Sequence, residues 1–177
     1  GKAANFTTSG VQDQNRGIYL QGGHAKNIFG GSDTSGAVNA SHVYIQSGTA
    51  DNVYGGNNKG GTTTTSTVNV TGGTVTNVYG GGYQASTTTS NVNLTGGTIT
   101  NGFGGGNAAS VTTANIVLNG SSARAANIYG GSNSAGTVTA SNVTITSGTV
   151  TNVYGGNNAG GNTVNTIVRV NSPATND

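Results

Sequence analysis

The chain has 177 residues, of which 33 are glycine, and only 6% are charged, against about 25% in ordinary globular domains. Its formal charge of +2 is scattered over Lys2, Arg16, Lys26, Lys59, Arg124 and Arg169 against four aspartates, which makes no basic stripe and argues against nucleic acid as a partner, because phosphate binding needs clustered cations. The lack of cysteine excludes disulfides and thiolate metal sites, and no apolar run suited to membrane insertion occurs.

The first sixteen residues, GKAANFTTSGVQDQNR, form an atypical segment with no helical stripe. From residue 17 to residue 170 a repeat takes over, and residues 171–177 form a short tail; the whole reads as one domain. The repeat is marked by an aromatic residue followed by two glycines, at Phe29, Tyr54, Tyr79, Phe103, Tyr129 and Tyr154, with steps of 25, 25, 24, 26 and 25 residues. A period of this length with strand-type residues predicts a chain that winds one coil per repeat and stacks the coils into a solenoid. Low complexity alone would suggest disorder, but the regular Val and Ile spacing opposes it. Since no methionine is present, the chain is expected to be a processed form, a fragment or a sequence without its original start.

Three short strands are expected in each coil. The first carries alternating apolar residues, as in Ile18 and Leu20, Val43 and Ile45, Val68 and Val70, Val92 and Leu94, Ile116 and Leu118, Val143 and Ile145, and Val168 and Val170. Period two with β-branched side chains predicts one buried and one wet face. A Gly-Gly or Ser-Gly corner follows, where glycine supplies a positive φ. The second strand holds an apolar residue at Ala25, Ala50, Val75, Ile99 and Val150, then an asparagine at Asn27, Asn52, Asn77, Asn101, Asn127 and Asn152. These six amides either bond to one another between coils, at a spacing of about 4.8 Å, or merely tolerate a left-handed turn; the residues fit both.

An apolar residue then precedes each ring except in the fourth coil, which has Gly102. The three-residue step from Val75 to Val78 breaks strict alternation and leaves open which side the rings occupy. A ring ladder is read first as packing and second as a sugar platform. The third strand is Thr-rich, as in Thr62 to Thr65, Thr87 to Thr89, Thr112 and Thr113, and Thr137 and Thr139, with small inward residues.

A second period overlies the first: NIFGGSDTSGAVNAS at 27–41 matches NIYGGSNSAGTVTAS at 127–141, and NVYGGNNKGG at 52–61 matches NVYGGNNAGG at 152–161. Duplication of a four-coil cassette favours length as the selected property. Six coils and a partial seventh predict a rod of roughly 30 to 35 Å. No capping element is evident, so the ends either continue in a longer protein or stack head-to-tail on further copies, a contact that does not close.

At the strings GGTVTNVYGGG (72–82), GGTITNGFGGG (96–106) and SGTVTNVYGGN (147–157) the chain resembles the pectate-lyase-like β-helical repeats of bacterial surface adhesins and autotransporter passenger domains. The likeness spans roughly residues 17 to 170. It implies an all-β parallel β-helix, exposed on or secreted from a bacterial cell as a stalk or adhesive surface. The crossover rule favours a right-handed winding.

Chemistry is sparse. The acids are Asp13, Asp33, Asp51 and Asp177, with no glutamate, and aligning the coils on the rings separates Asp33 from Asp51, so no carboxylate pair for glycoside chemistry is expected. Asp51 falls one coil from Lys26, which predicts a weak cross-strand ion pair. His24 and His42 align with no carboxylate. Asparagine and serine stand where calcium-binding repeats need aspartate, so neither metal nor cofactor is expected. The triplets at Asn5, Asn39, Asn69, Asn93, Asn119 and Asn142 match the glycosylation pattern, as chance would produce in this composition.

The leading expectation is a non-enzymatic extracellular or cell-surface structural protein, a filament subunit or adhesin stalk whose partner is a further copy of itself. The alternatives are an ice-binding solenoid, using Thr74 and Thr76, Thr98 and Thr100, and Thr149 and Thr151, and a module that binds surface glycans through the ring ladder.

Overall fold

The computed structural model describes residues 17–171; the N-terminal segment and all of the tail beyond Asn171 lie outside them, as do Asp13 and Asp177. The strands are β1 (Ile18–Phe29), β2 (Ala37–Tyr54), β3 (Thr62–Val70), β4 (Thr74–Tyr79), β5 (Ser86–Leu94), β6 (Thr98–Phe103), β7 (Val111–Tyr129), β8 (Thr137–Tyr154) and β9 (Asn162–Val170). Every pairing is parallel and joins a residue to its counterpart one coil later, for example Val43 to Val68 and Val68 to Val92. This is a β-solenoid of about six turns, with about 25 residues per coil.

The Thr-rich tract and the Val-x-Val segment after it form one continuous strand, as in β3 and β5, and in β2, β7 and β8 the strand runs through the glycine corner as well. The division of the coil survives as breaks in alternation. In β3 the buried side chains step from Thr63 to Ser66, and in β4 from Val75 to Val78. In both places one residue, Thr64 or Thr76, drops out of the pairing register. Each break turns the chain while keeping the residues on either side of it pointing inward.

The interior is an aliphatic column that includes Val43, Val68, Val92, Ile116 and Val143 on one wall and Val53, Val78 and Ile128 on another. Gly102 leaves no hole in the second wall: a Cβ there would lie 3.1 Å from Ile116 Cδ1, so the longer isoleucine fills the place that valine leaves empty in neighbouring coils. Glycine serves two distinct purposes. At the corner it takes a positive φ, 77° at Gly73 and 80° at Gly97. After the ring it permits close stacking, since a Cβ on Gly55 would stand 2.2 Å from the carbonyl oxygen of Gly80.

Candidate functional site

The six corner asparagines form one continuous chain of amide hydrogen bonds. Each donates its Nδ2 to Oδ1 of the asparagine one coil earlier: Asn52 to Asn27, Asn77 to Asn52, Asn101 to Asn77, Asn127 to Asn101 and Asn152 to Asn127, all at 2.9–3.0 Å. No described residue other than glycine has a positive φ, so a left-handed turn does not account for them. The ladder has a direction. Among the described residues its first member, Asn27, retains an amide N–H, and its last, Asn152, retains a carbonyl oxygen.

The aromatic residues form a second ladder. Phe29, Tyr54, Tyr79, Phe103, Tyr129 and Tyr154 stack with centroids 4.7–4.9 Å apart and planes within 5–10° of parallel. Val78 faces the aliphatic column, so the adjacent Tyr79 lies on the other side of the strand, where Tyr54, Tyr79 and Phe103 make a separate buried cluster. The loop after the glycines roofs it: Tyr83 meets Tyr54 edge-on at 5.6 Å, and Asn133 Nδ2 donates to Tyr79 Oη at 3.4 Å. Tyr54, Tyr79, Phe103 and Tyr129 each stack on both faces, and a sugar platform needs a free face.

Burial, with smaller contributions from the Tyr79 and Tyr83 hydroxyls, pushes the Tyr54 phenol well above its usual range. Burial also pushes Tyr79 up to about 12, against the opposing hydrogen bond from Asn133. The unfolded chain's tyrosines ionise near 10, so the folded state holds protons that the unfolded state has lost. Stability from these rings is therefore fully present below about pH 10 and falls as pH rises toward 12. Titration of tyrosinate absorbance is expected to show a delayed fraction that ionises only with loss of β-structure; a single transition near pH 10 with the fold intact would contradict the buried ladder.

Two further devices escape sequence reasoning. Ser41, Ser66, Ser90 and Ser141 are turned inward, and each donates its hydroxyl to the carbonyl of the first glycine after a ring, Gly55, Gly80, Gly104 and Gly155 respectively, at 2.5–2.7 Å. The signal was present as a serine two residues before four of the alternating apolar pairs, those at Val43, Val68, Val92 and Val143, but serine is so common here that it did not stand out. Asn57 clasps its loop, accepting from Ser32 N–H at 2.8 Å and Thr63 Oγ1 at 3.1 Å while donating to the Gly36 and Gly60 carbonyls at 3.1 Å. Asn157, its counterpart in the duplicated cassette, accepts from Ser132 N–H and Thr163 Oγ1 and donates to Gly160 O.

The ionisable residues correct one expectation. The neighbour of Asp51 is His24, whose Nε2 lies 3.7 Å from Asp51 Oδ1, and no Lys26 bridge forms among the described residues. His24 stands in register with Thr49, whose Oγ1 lies 2.9 Å from its Nδ1, and reaches Asp51 diagonally, two residues further along the paired strand. All of this lies on open surface. Asp33 accepts from Asn58 Nδ2 at 2.7 Å, away from Asp51. Among the described residues no three His, Cys, Asp or Glu side chains converge on a metal-sized site.

Coil-on-coil parallel pairing, two side-chain ladders and inward serine clasps define a β-solenoid repeat protein. Compared with known protein families, with curated proteins and with solved structures, the chain shows no match.

Proposed function

We propose that the chain is a non-enzymatic extracellular structural protein, a filament subunit or stalk segment that continues by head-to-tail stacking of its coils. The observation that carries this reading is the C-terminal end of the solenoid. Val168 is 43% exposed and Val170 is 69% exposed, whereas their counterparts one coil earlier, Val143 and Ile145, are 0% and 6% exposed. The terminal strand also carries Val164 and Ile167 at outward positions that hold Thr139 and Asn142 in the preceding coil. Among the described residues no strand pairs the outer edge of β9, and a strand edge with an apolar surround is a template for another strand.

Polarity follows from the asparagine ladder. Among the described residues its unused donor is at one end and its unused acceptor at the other, so unlike ends match, which is the condition for a heterologous, non-closing contact. Electron microscopy of the isolated chain tests the reading. Long filaments with an axial repeat near one subunit's length identify a filament subunit, and discrete short rods identify a stalk segment. A compact particle or a disordered far-ultraviolet spectrum would sink both.

A further inference from the structure

We propose that one flank of the solenoid, across β3, β5, β7 and β8, is an ice-binding face. Here the strands place hydroxyls on either side of an inward residue. One rank runs Thr62, Ser86, Ser110 and Thr137; the second includes Thr88, Thr112 and Thr139; all are exposed. Between them lies a trough of about 240 Å³ floored by Thr87 and Val111. No charged residue stands in either rank across these four coils. The threonine array anticipated from the sequence is a different one, and there His24, Lys26, Asp51 and Arg124 interrupt the ranks.

The spacings favour ordered water as the ligand. Successive coils repeat at the strand spacing of about 4.8 Å along each rank, the second rank standing where the strand drops out of pairing and turns. Tetrahedral water with O···O contacts of about 2.75 Å has second neighbours about 4.5 Å apart. Along the ranks the mismatch is about 0.3 Å per coil, which over three steps accumulates to about 1 Å, less than half of one O···O contact. A four-coil patch therefore stays in register with a frozen layer. Hydroxyls suit this task because each donates and accepts, whereas a charged group would impose its own hydration shell.

The surface is also rigid. Ser110 Oγ accepts from the Thr137 N–H at 3.0 Å, which ties one rank member to the next coil. Thr87, 2% exposed, has the one buried side-chain oxygen with no protein partner among the described residues. Its counterpart Thr63 is served by Asn57, but Gly82 occupies the corresponding loop position before Thr87; that hydroxyl lies against the Gly56 backbone in the interior and is not part of the two exposed ranks. A carbohydrate ligand is less well served, since no aromatic face borders the trough and recognition pockets for organic ligands rely on such faces.

The test compares the full chain with Thr88→Lys/Thr112→Lys, and with Thr76→Lys/Thr100→Lys on the other threonine face, after far-ultraviolet spectra establish that all three are folded. The wild type is expected to inhibit ice recrystallisation and to show thermal hysteresis, the trough pair to lose at least fivefold in hysteresis, and the control pair to keep it. Absence of both effects in the wild type overturns the proposal, as does hysteresis that survives the trough pair or falls equally in the control. Retention on an insoluble polysaccharide that depends on Thr88 and Thr112, without any ice effect, would assign the trough to carbohydrate and overturn it too. End-to-end assembly plays no part in the argument, so a failure here leaves the filament reading untouched.

Discussion

Replacing Phe103 by alanine is expected to destabilise the chain by about 3–5 kcal/mol, the range for removing a large aromatic side chain from a core. Phe103 is 1% exposed and stacks on both sides, against Tyr79 at 4.8 Å and Tyr129 at 4.9 Å. Each such ring pair contributes about 0.5–1.5 kcal/mol beyond its buried area. The fixed strand spacing prevents the neighbouring coils from closing over the gap, so little of the loss is recovered by collapse. Tyr154→Ala is the matched comparison. Tyr154 has one ring neighbour and is 46% exposed, and its loss is expected to cost about 1 kcal/mol in the unassembled chain. Urea denaturation followed by far-ultraviolet circular dichroism measures both. Equal losses at the two positions would mean that the ladder does not support the fold as described.

The second large effect concerns assembly. Val168→Asp/Val170→Asp is expected to abolish filament growth while leaving the β-rich spectrum of the single chain unchanged. Burying a fully exposed valine contributes about 1.5–3 kcal/mol; Val168 is 43% and Val170 69% exposed, so together they supply about 2–3 kcal/mol to each end-to-end contact. At about 1.4 kcal/mol per tenfold change, the association constant should fall by roughly one to two orders of magnitude, before counting the cost of placing carboxylates against an apolar end. Thr151→Asp, on the lateral surface, should leave assembly unaltered. Light scattering and filament length report the outcome; filaments of undiminished length from the double variant would remove the C-terminal strand from the contact.

Local pattern made much of this protein legible in its sequence. The aromatic-Gly-Gly period set the coil length, and alternation in segments such as Val68-Asn69-Val70 assigned the inward face, because a strand with one buried side must repeat every second residue. The recurrence of asparagine at one coil position marked a corner. Its meaning did not follow, since a ladder and a tolerant turn demand the same residue, and only the amide distances of 2.9–3.0 Å between coils separate them.

What the tertiary structure decided lies where the chain bends or where coils meet. The two breaks in alternation, at Thr64 and Thr76, turn the chain, so that the rings form a second core beside the aliphatic column. Exposure of Val168 and Val170 likewise depends on their being in the last described coil, for aliphatic residues stand at the same places in the coils before it. The sequence determines which face of a strand is apolar, because that is a property of neighbours along the chain. Which apolar faces stay uncovered, and which hydroxyls line up into a trough, depends on partners about 25 residues away and on the angle at each corner, and no local pattern carries that information.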